Sequence, residues 1–320
     1  MLDSVSLFTK ELFDYAGLFP PAKLPLVQAF QNFTHYQTHV QNNALGKFIF
    51  PLEKTDEFIS FRIKLQNATI PFSVLLTKVQ HSSLATNSLA LDIQKLEQLA
   101  ATTPCVCISS FETVPPEDIL TSSDKGLLFS YFKTLQKFLA PFKTTVFFEV
   151  PYENSPSEFF LRTLGEHIID TKTPFAAKLR TGGTHAHQIP SAESLARIIL
   201  QCAQNRLPVK LTAGLHVPVP NFNPSVGATL HGFLNVVCCL LVAHDHFCGS
   251  QNSPVTQSSL QNILTNFKED DFKFTADGLH IGSVFMANDR LKKLRDNCVK
   301  SIGTCSFLEP LEHLSHMGVL

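Results

Sequence analysis

The stretch that most constrains the fold of this 320-residue chain is residues 175–216, FAAKLRTGGTHAHQIPSAESLARIILQCAQNRLPVKLTAGLH. Two short segments, Phe175–Arg180 and residues 208–213, start with small or apolar residues, carry a lysine mid-segment and run into glycine. Between them Leu195, Ile198, Ile199 and Cys202 follow the i, i+3, i+4, i+7 spacing of a helix, with Pro190-Ser191 as its start signal. Strand, glycine turn, helix and strand make a βαβ unit, which forces the two strands to run parallel. Lys178 and Lys210 sit at equivalent places on them. A lysine inside a buried strand is unfavourable unless it has a role, so this pair marks the place to look for function.

The same alternation extends along nearly the whole chain. Residues 12–19 read as a first strand ending at Pro20-Pro21, with a helix after it to about His35. Then come strands at 47–52, 71–77, 104–112 and 144–151, followed by helices near 57–66, 85–101, 124–140 and 156–168. The pair described above supplies strands six and seven. A Pro-rich loop after His216 leads to an apolar helix at about 228–244. Residues 249–300 break the rhythm as an insertion: a short helix, a hairpin and a charged helix at about 284–296. The Asp-Gly within FKFTADGLHI signals a type I′ turn for that hairpin. Residues 301–307 return as an eighth strand, and PLEHLSHMG closes the chain as a helix.

Eight strands alternating with helices predict an α/β fold, a (β/α)8 TIM barrel forming a single domain over residues 1–320. The typical barrel length of about 250 residues, plus an insertion, suits this chain. An open doubly wound sheet is the main competitor, although the first strand lacks the GxGxxG turn of its dinucleotide-binding version.

Composition narrows the function classes. Lys plus Arg total 26 against 27 Asp plus Glu, a formal net charge of −1. That balance gives no electrostatic case for nucleic acid, and no polybasic tract marks a membrane surface. The first residues carry acids and no apolar h-region, unlike a secretory signal. The apolar run at 233–243 is shorter than a bilayer span. A soluble, cytoplasmic protein is expected, with the oligomeric state open, a homo-oligomer included. Eight cysteines form no CxxC pair and lie mostly in apolar segments, where cysteine behaves as a small hydrophobe.

In a barrel, alternate residues of each strand face the interior. On strand six that leaves Ala176, Lys178 and Arg180 pointing in; on strand seven, Lys210, Thr212 and Gly214; on strand five, Phe147 and Glu149. Adjacent strands lie about 4.8 Å apart, so the side-chain tips can meet. All lie toward the C-terminal strand ends, where barrel enzymes keep their active sites. Three cations and one carboxylate form a net positive pocket. Arg180 is a fixed positive charge and a bidentate anion binder. A lysine beside it and beside a second lysine has its ammonium form disfavoured, which lowers its pKa. A neutral amine is the nucleophile a Schiff base requires. Glu149 would move protons or hold one lysine charged. The competing reading is a structural salt-bridge cluster.

Glycines and hydroxyls at the strand ends supply an anion grip: Gly182, Gly214, Thr212 and Ser306 are its candidates. His216, after strand seven, and His231, at the start of the following helix, join them as substrate-binding candidates. His185 and His187 form an HxH on a glycine loop. Such an imidazole cluster can hold zinc, but no acidic ligand is paired with it, so neither metal nor cofactor is assigned. His244 and His246 lie at the C-terminal end of their helix, away from the active face.

The motif Lys178-Leu-Arg-Thr-Gly182, followed after a helix by Lys210-Leu-Thr-Ala-Gly214, resembles the class I deoxyribose-phosphate aldolases. That family carries K-T-S-T-G and K-x-x-G-G on the corresponding strands. The resemblance covers about forty residues and implies an aldolase-type barrel in which Lys178 forms the Schiff base and Lys210 depresses its pKa. Asp14, Glu112 and Glu149 are all candidates for the family's proton-relay acid. Arg180 replaces a small hydroxyl residue, which would crowd the site or bind an extra acidic group. Over its full length the chain also resembles a set of bacterial proteins with no assigned activity. The expected function is therefore an aldolase-type lyase acting on a small anionic carbonyl metabolite, a phosphate or carboxylate. Its alternatives are a non-covalent sugar-phosphate isomerase or epimerase, a metal-assisted lyase, or a barrel that binds an anionic metabolite without turnover.

Overall fold

A computed structural model describes residues 2–61, 69–152, 154–248 and 254–320. Eight parallel strands close into a barrel: β1 (Phe13–Tyr15), β2 (Leu45–Pro51), β3 (Ile70–Leu75), β4 (Val106–Thr113), β5 (Thr145–Val150), β6 (Phe175–Arg180), β7 (Val209–Thr212) and β8 (Val299–Thr304). Each pairs with its neighbours in chain order, and β8 closes the ring against β1 through Phe13↔Ile302, Asp14↔Gly303 and Tyr15↔Thr304. Helices follow the strands on the outside. This is a TIM barrel.

Phenylalanines fill the layer between strands and helices. On one side Phe48, Phe50 and Phe72 of β2 and β3 pack with Phe30 and Phe58 of the helices Leu26–Tyr36 and Thr55–Ser60. On the other, Phe148 and Phe175 of β5 and β6 meet Phe132, Phe160 and His167. Each such phenylalanine, taken fully from water, contributes about 1.5–3 kcal/mol. The helix Ala192–Gln204 behaves as its spacing predicts. Leu195, Ile198, Ile199 and Cys202 are all fully buried, and Ser191 Oγ accepts from Ser194 N at 3.1 Å.

Several boundaries differ from the sequence reading. The first strand is only three residues long because the chain turns at Ala16 and Gly17, and the last begins at Val299, two residues early. The helix expected near 57–66 is Thr55–Ser60 in its described part; residues 62–68 lie outside the described residues. The apolar helix starts at Phe233, and the stretch before it forms a two-stranded ribbon, Asn221–Asn223 with Ala228–Leu230.

Between that helix and β8 lie the helix Gln257–Asn266, a three-stranded antiparallel sheet and the helix Asn288–Asn297. The expected insertion also takes in residues 249–253, which lie outside the described residues. Residues 284–287 are the third strand of the sheet, not the start of the charged helix. The connection from Phe272–Phe274 to Gly278–Ile281 is not the expected type I′ turn at Asp277-Gly278: Thr275 N donates to Gly278 O at 2.9 Å, which places Ala276 and Asp277 at the tip, and none of these residues has the positive φ that turn requires. Gly278 stands in the sheet, where a Cβ would meet Met286 O at 2.2 Å. The sheet rests on the first helix, Asp3–Thr9, through Phe8 against Phe274 at 5.3 Å and Ser4 Oγ donating to Thr275 O.

Candidate active site

Register brings the predicted residues together. Glu149 pairs with Lys178 across β5 and β6, and Lys178 pairs with Lys210 across β6 and β7. All three therefore stand side by side on the inner wall. The closed ring adds two acids that face them. Asp14, between Phe13 and Tyr15 on β1, and Glu112, between Phe111 and Thr113 on β4, are 0% and 2% exposed.

These groups form one continuous network. Glu112 lies between the lysines: its Oε2 is 2.9 Å from Lys178 Nζ and its Oε1 is 2.6 Å from Lys210 Nζ. Lys178 Nζ also reaches Glu149 Oε2 at 2.9 Å, and Lys210 Nζ reaches Asp14 Oδ2 at 2.5 Å. Ser110 Oγ donates to Ser73 Oγ at 2.9 Å, which in turn donates to Glu112 Oε1 at 2.6 Å. Ser301 Oγ and the Lys47 backbone N–H donate to the two oxygens of Asp14, each at 2.7 Å. Gly46 makes that last contact possible, since a Cβ there would meet Asp14 Oδ1 at 2.1 Å. Phe147 lies beneath, with Lys210 Nζ 5.5 Å from its ring centroid.

The charge balance is opposite to the one the sequence suggests. Two ammonium groups face three carboxylates, a formal −1, and Arg180 is outside the network. Its side chain is exposed at the rim, where Nε donates to Gly182 O at 3.0 Å. The expected lowering of the lysine pKa is therefore corrected. Burial alone would lower both lysines, but Glu112 and Glu149 around Lys178, and Asp14 and Glu112 around Lys210, hold them above the usual range. Burial likewise favours the neutral form of Glu112 and Asp14, yet the lysines keep both below the usual carboxylate range.

Access separates the two lysines. Lys210 is 0% exposed, whereas Lys178 is 6% exposed and its partner Glu149 has a side chain 22% exposed. Lys178 is the amine that a ligand entering from the C-terminal mouth would meet first.

The other predicted residues take varied positions. Gly182 and Gly214 touch across the loops: a Cβ on Gly182 would lie 2.8 Å from Gly214 Cα, and Gly214 has φ +76°. Thr212 Oγ1 lies beside Gly303 in the upper barrel. His216 Nδ1 approaches Glu309 Oε2 at 3.1 Å. Ser306 Oγ accepts from Glu309 N at 3.2 Å and so fixes the start of the last helix. His231 is buried and donates from Nε2 to Pro190 O at 2.8 Å, tying the loop after β6 to the loop after β7. His185 and His187 stack on each other in an exposed loop. Among the described residues, no group of three or more His, Cys, Asp and Glu is placed to hold a metal ion.

A cavity of about 300 Å³ opens at the opposite, N-terminal end, lined by Lys10, Lys47, Ser110, Phe147, Arg295 and Lys300 among others. It reaches toward the network only through Ser110 and Phe147. The Arg295 guanidinium there is spent on the carbonyls of Phe8, Lys10, Val299 and Lys300. The ion-pair network lies above it, toward the C-terminal half of the barrel.

Fold and network together define a TIM barrel with a buried acid–base cluster. No protein-family model matches the chain, and no curated protein matches it.

The network sets a pH dependence of stability. Asp14 and Glu112 have depressed folded pKa values, so their stabilisation is present above about pH 4 and is lost as pH falls further. Buried His244 is pushed down to about 4 by desolvation and adds an earlier loss. It begins as pH drops below the unfolded value of about 6.5. The lysines, raised in the fold, contribute fully below about pH 10.4 and lose that contribution as pH rises through their folded values. Urea midpoints are expected to decline in two stages between pH 7 and pH 3. A midpoint that stays flat over that range would contradict this account.

Proposed function

We propose that the chain is an aldolase-type lyase that forms a Schiff base between Lys178 and a small anionic carbonyl compound. The observation that carries this reading is the Glu112 carboxylate joined to both lysines, with Lys178 on the accessible side. A Schiff base needs a free amine, so the Lys178 ammonium must first give up a proton. Glu112 is in direct contact to receive it, and Lys210 and Asp14 extend the path across the barrel. The amine then adds to the carbonyl carbon, a proton shifts from nitrogen to oxygen, and the proton parked on Glu112 is returned, with Glu149 beside the nitrogen to relay it, so that the former carbonyl oxygen leaves as water. A carboxylate of the network then takes the proton of a β-hydroxyl, the C–C bond breaks with its electron pair moving into the iminium, the carbonyl fragment departs and the enamine remains. Protonation and hydrolysis of that enamine return Lys178.

Arg180, exposed at the rim with Nε on Gly182 O, and the joined Gly182 and Gly214 turns support recognition of an acidic group on the substrate. Thr212, His216, His231 and Ser306 lie on the same face as supports of that grip. The eight cysteines are all free, which supports a reducing, cytoplasmic setting. Among the described residues no helix is long and apolar enough to cross a membrane.

The raised lysine pKa values favour one second reading. A charged Lys178 between two carboxylates suits non-covalent proton transfer, as in a sugar-phosphate isomerase or epimerase. Borohydride reduction in the presence of small aldehydes, ketones and 2-oxo acids separates the two. A mass increment mapped to Lys178, absent in Lys178→Met, is expected. If neither Lys178 nor Lys210 gains an adduct from a broad panel, the imine mechanism is wrong and the proton-transfer reading stands.

A further inference from the structure

A second constellation stands at the barrel mouth. Cys305 directly follows β8, His216 lies just beyond β7, and Glu309 is in the first turn of the helix Leu308–His316. β7 and β8 pair through Gly303↔Thr212, so the loops leaving them are neighbours. Cys305 Sγ is 4.0 Å from His216 Nε2, and His216 Nδ1 is 3.1 Å from Glu309 Oε2. Thiol, imidazole and carboxylate are thus neighbours, with His216 Nδ1 in ion-pair range of Glu309 but outside hydrogen-bond geometry, a nucleophile, a base and an acid of the kind that act together.

We propose that Cys305, set beside the His216 imidazole that Glu309 flanks, is this chain's site of covalent modification by alkylating carbon electrophiles. The inference is independent of the lysine chemistry. In the reaction an S–C bond forms as the carbon–leaving-group bond breaks, and the leaving group departs with the bonding pair. The thiol proton is lost to solvent past the His216 imidazole beside the sulfur.

The surroundings favour a charged imidazole beside the sulfur. Burial alone would lower His216, but its contacts to Cys305 and Glu309 raise it to about 10. Tyr15 and Tyr36 also face this region from β1 and the helix Leu26–Tyr36, and burial pushes both phenols up, so neither adds a negative charge at neutral pH. His313 lies on the same helix as Glu309 and acts on its carboxylate. The contrast with Cys202, Cys238 and Cys239 is clear, because all three are fully buried and pushed up by desolvation. Exposed Cys107 offers an internal reference.

The test is limiting iodoacetamide on the full-length chain at pH 6.5, followed by peptide mass mapping. Cys305 is expected to react about tenfold faster than Cys107, because an ordinary thiol is almost wholly protonated at that pH. His216→Asn should bring Cys305 to the Cys107 rate or below, and Glu309→Gln should give an intermediate rate. Should His216→Asn fail to fold, the native ranking and the Glu309→Gln variant decide. The proposal falls if Cys305 reacts no faster than Cys107, or if its excess rate survives loss of His216 or is unchanged in Glu309→Gln.

Discussion

Lys210→Met is expected to destabilise the fold by about 3–5 kcal/mol, the range found when one member of a buried ion pair is removed. The ammonium is 0% exposed and stands between Asp14 and Glu112. Without it, two carboxylates remain in the barrel interior with only Ser301, Ser73, the Lys47 N–H and Lys178 as partners. Asp14, left without a cation in ion-pair contact, would then be driven toward its protonated form, while Glu112 keeps Lys178. The triple variant Lys210→Met, Asp14→Asn, Glu112→Gln removes the stranded charges and is expected to recover most of the loss. Urea unfolding at pH 7 compares the variants, and coupling among neighbours is read from the cycle. A single-variant loss below about 1 kcal/mol would mean the network is better solvated than its burial indicates. Lys178→Met is expected to cost less, because the Glu149 side chain is 22% exposed and can turn to water.

The barrel was legible because its signal is redundant. Eight apolar runs, each followed by a helical pattern, leave few alternatives once the runs are forced parallel. The elements the sequence does not reveal are short and local. Residues 284–287, Val-Phe-Met-Ala, form an apolar run of four, too short for periodicity to separate strand from helix. Pairing with Gly278–Ile281 makes it a strand. The ribbon at Asn221–Asn223 and Ala228–Leu230 consists of three-residue strands in polar sequence and leaves no pattern at all.

The site was half legible for a different reason. Lys178 and Lys210 stand out because each interrupts an apolar parallel strand. Asp14 and Glu112 interrupt theirs in the same way, and the aldolase resemblance names both as relay candidates, but the charge count of the pocket leaves them out. The direction of the lysine pKa values depends on this omission. Counting charges on three adjacent strands leaves out the facing wall, and a closed barrel puts Asp14 and Glu112 of β1 and β4 against those lysines. Arg180 failed for a geometric reason. It ends β6, past the last packed layer, where strand alternation no longer dictates which way a side chain turns. Ser73 and Ser301 carried no signal, since a serine within a strand is ordinary.

Glu112→Gln tests which of two opposing effects governs catalysis. The change removes the carboxylate that does most to hold Lys178 charged, so the free-amine fraction should rise, about tenfold for each unit the lysine falls. It also removes the group in contact with both lysines, and loss of a positioned proton acceptor lowers rates by about 10²–10⁴. Glu149 remains to hold Lys178, and Asp14 remains to hold Lys210, which limits the fall in either pKa. The second effect should win. The expected result is at least about a hundredfold slower formation of the borohydride-trapped adduct on Lys178 at pH 7, with the deficit shrinking as pH rises and hydroxide replaces the lost acceptor. Faster trapping in Glu112→Gln would reverse the assignment. Glu112 would then be a clamp that keeps Lys178 charged, and the barrel would be built to suppress amine chemistry rather than to perform it.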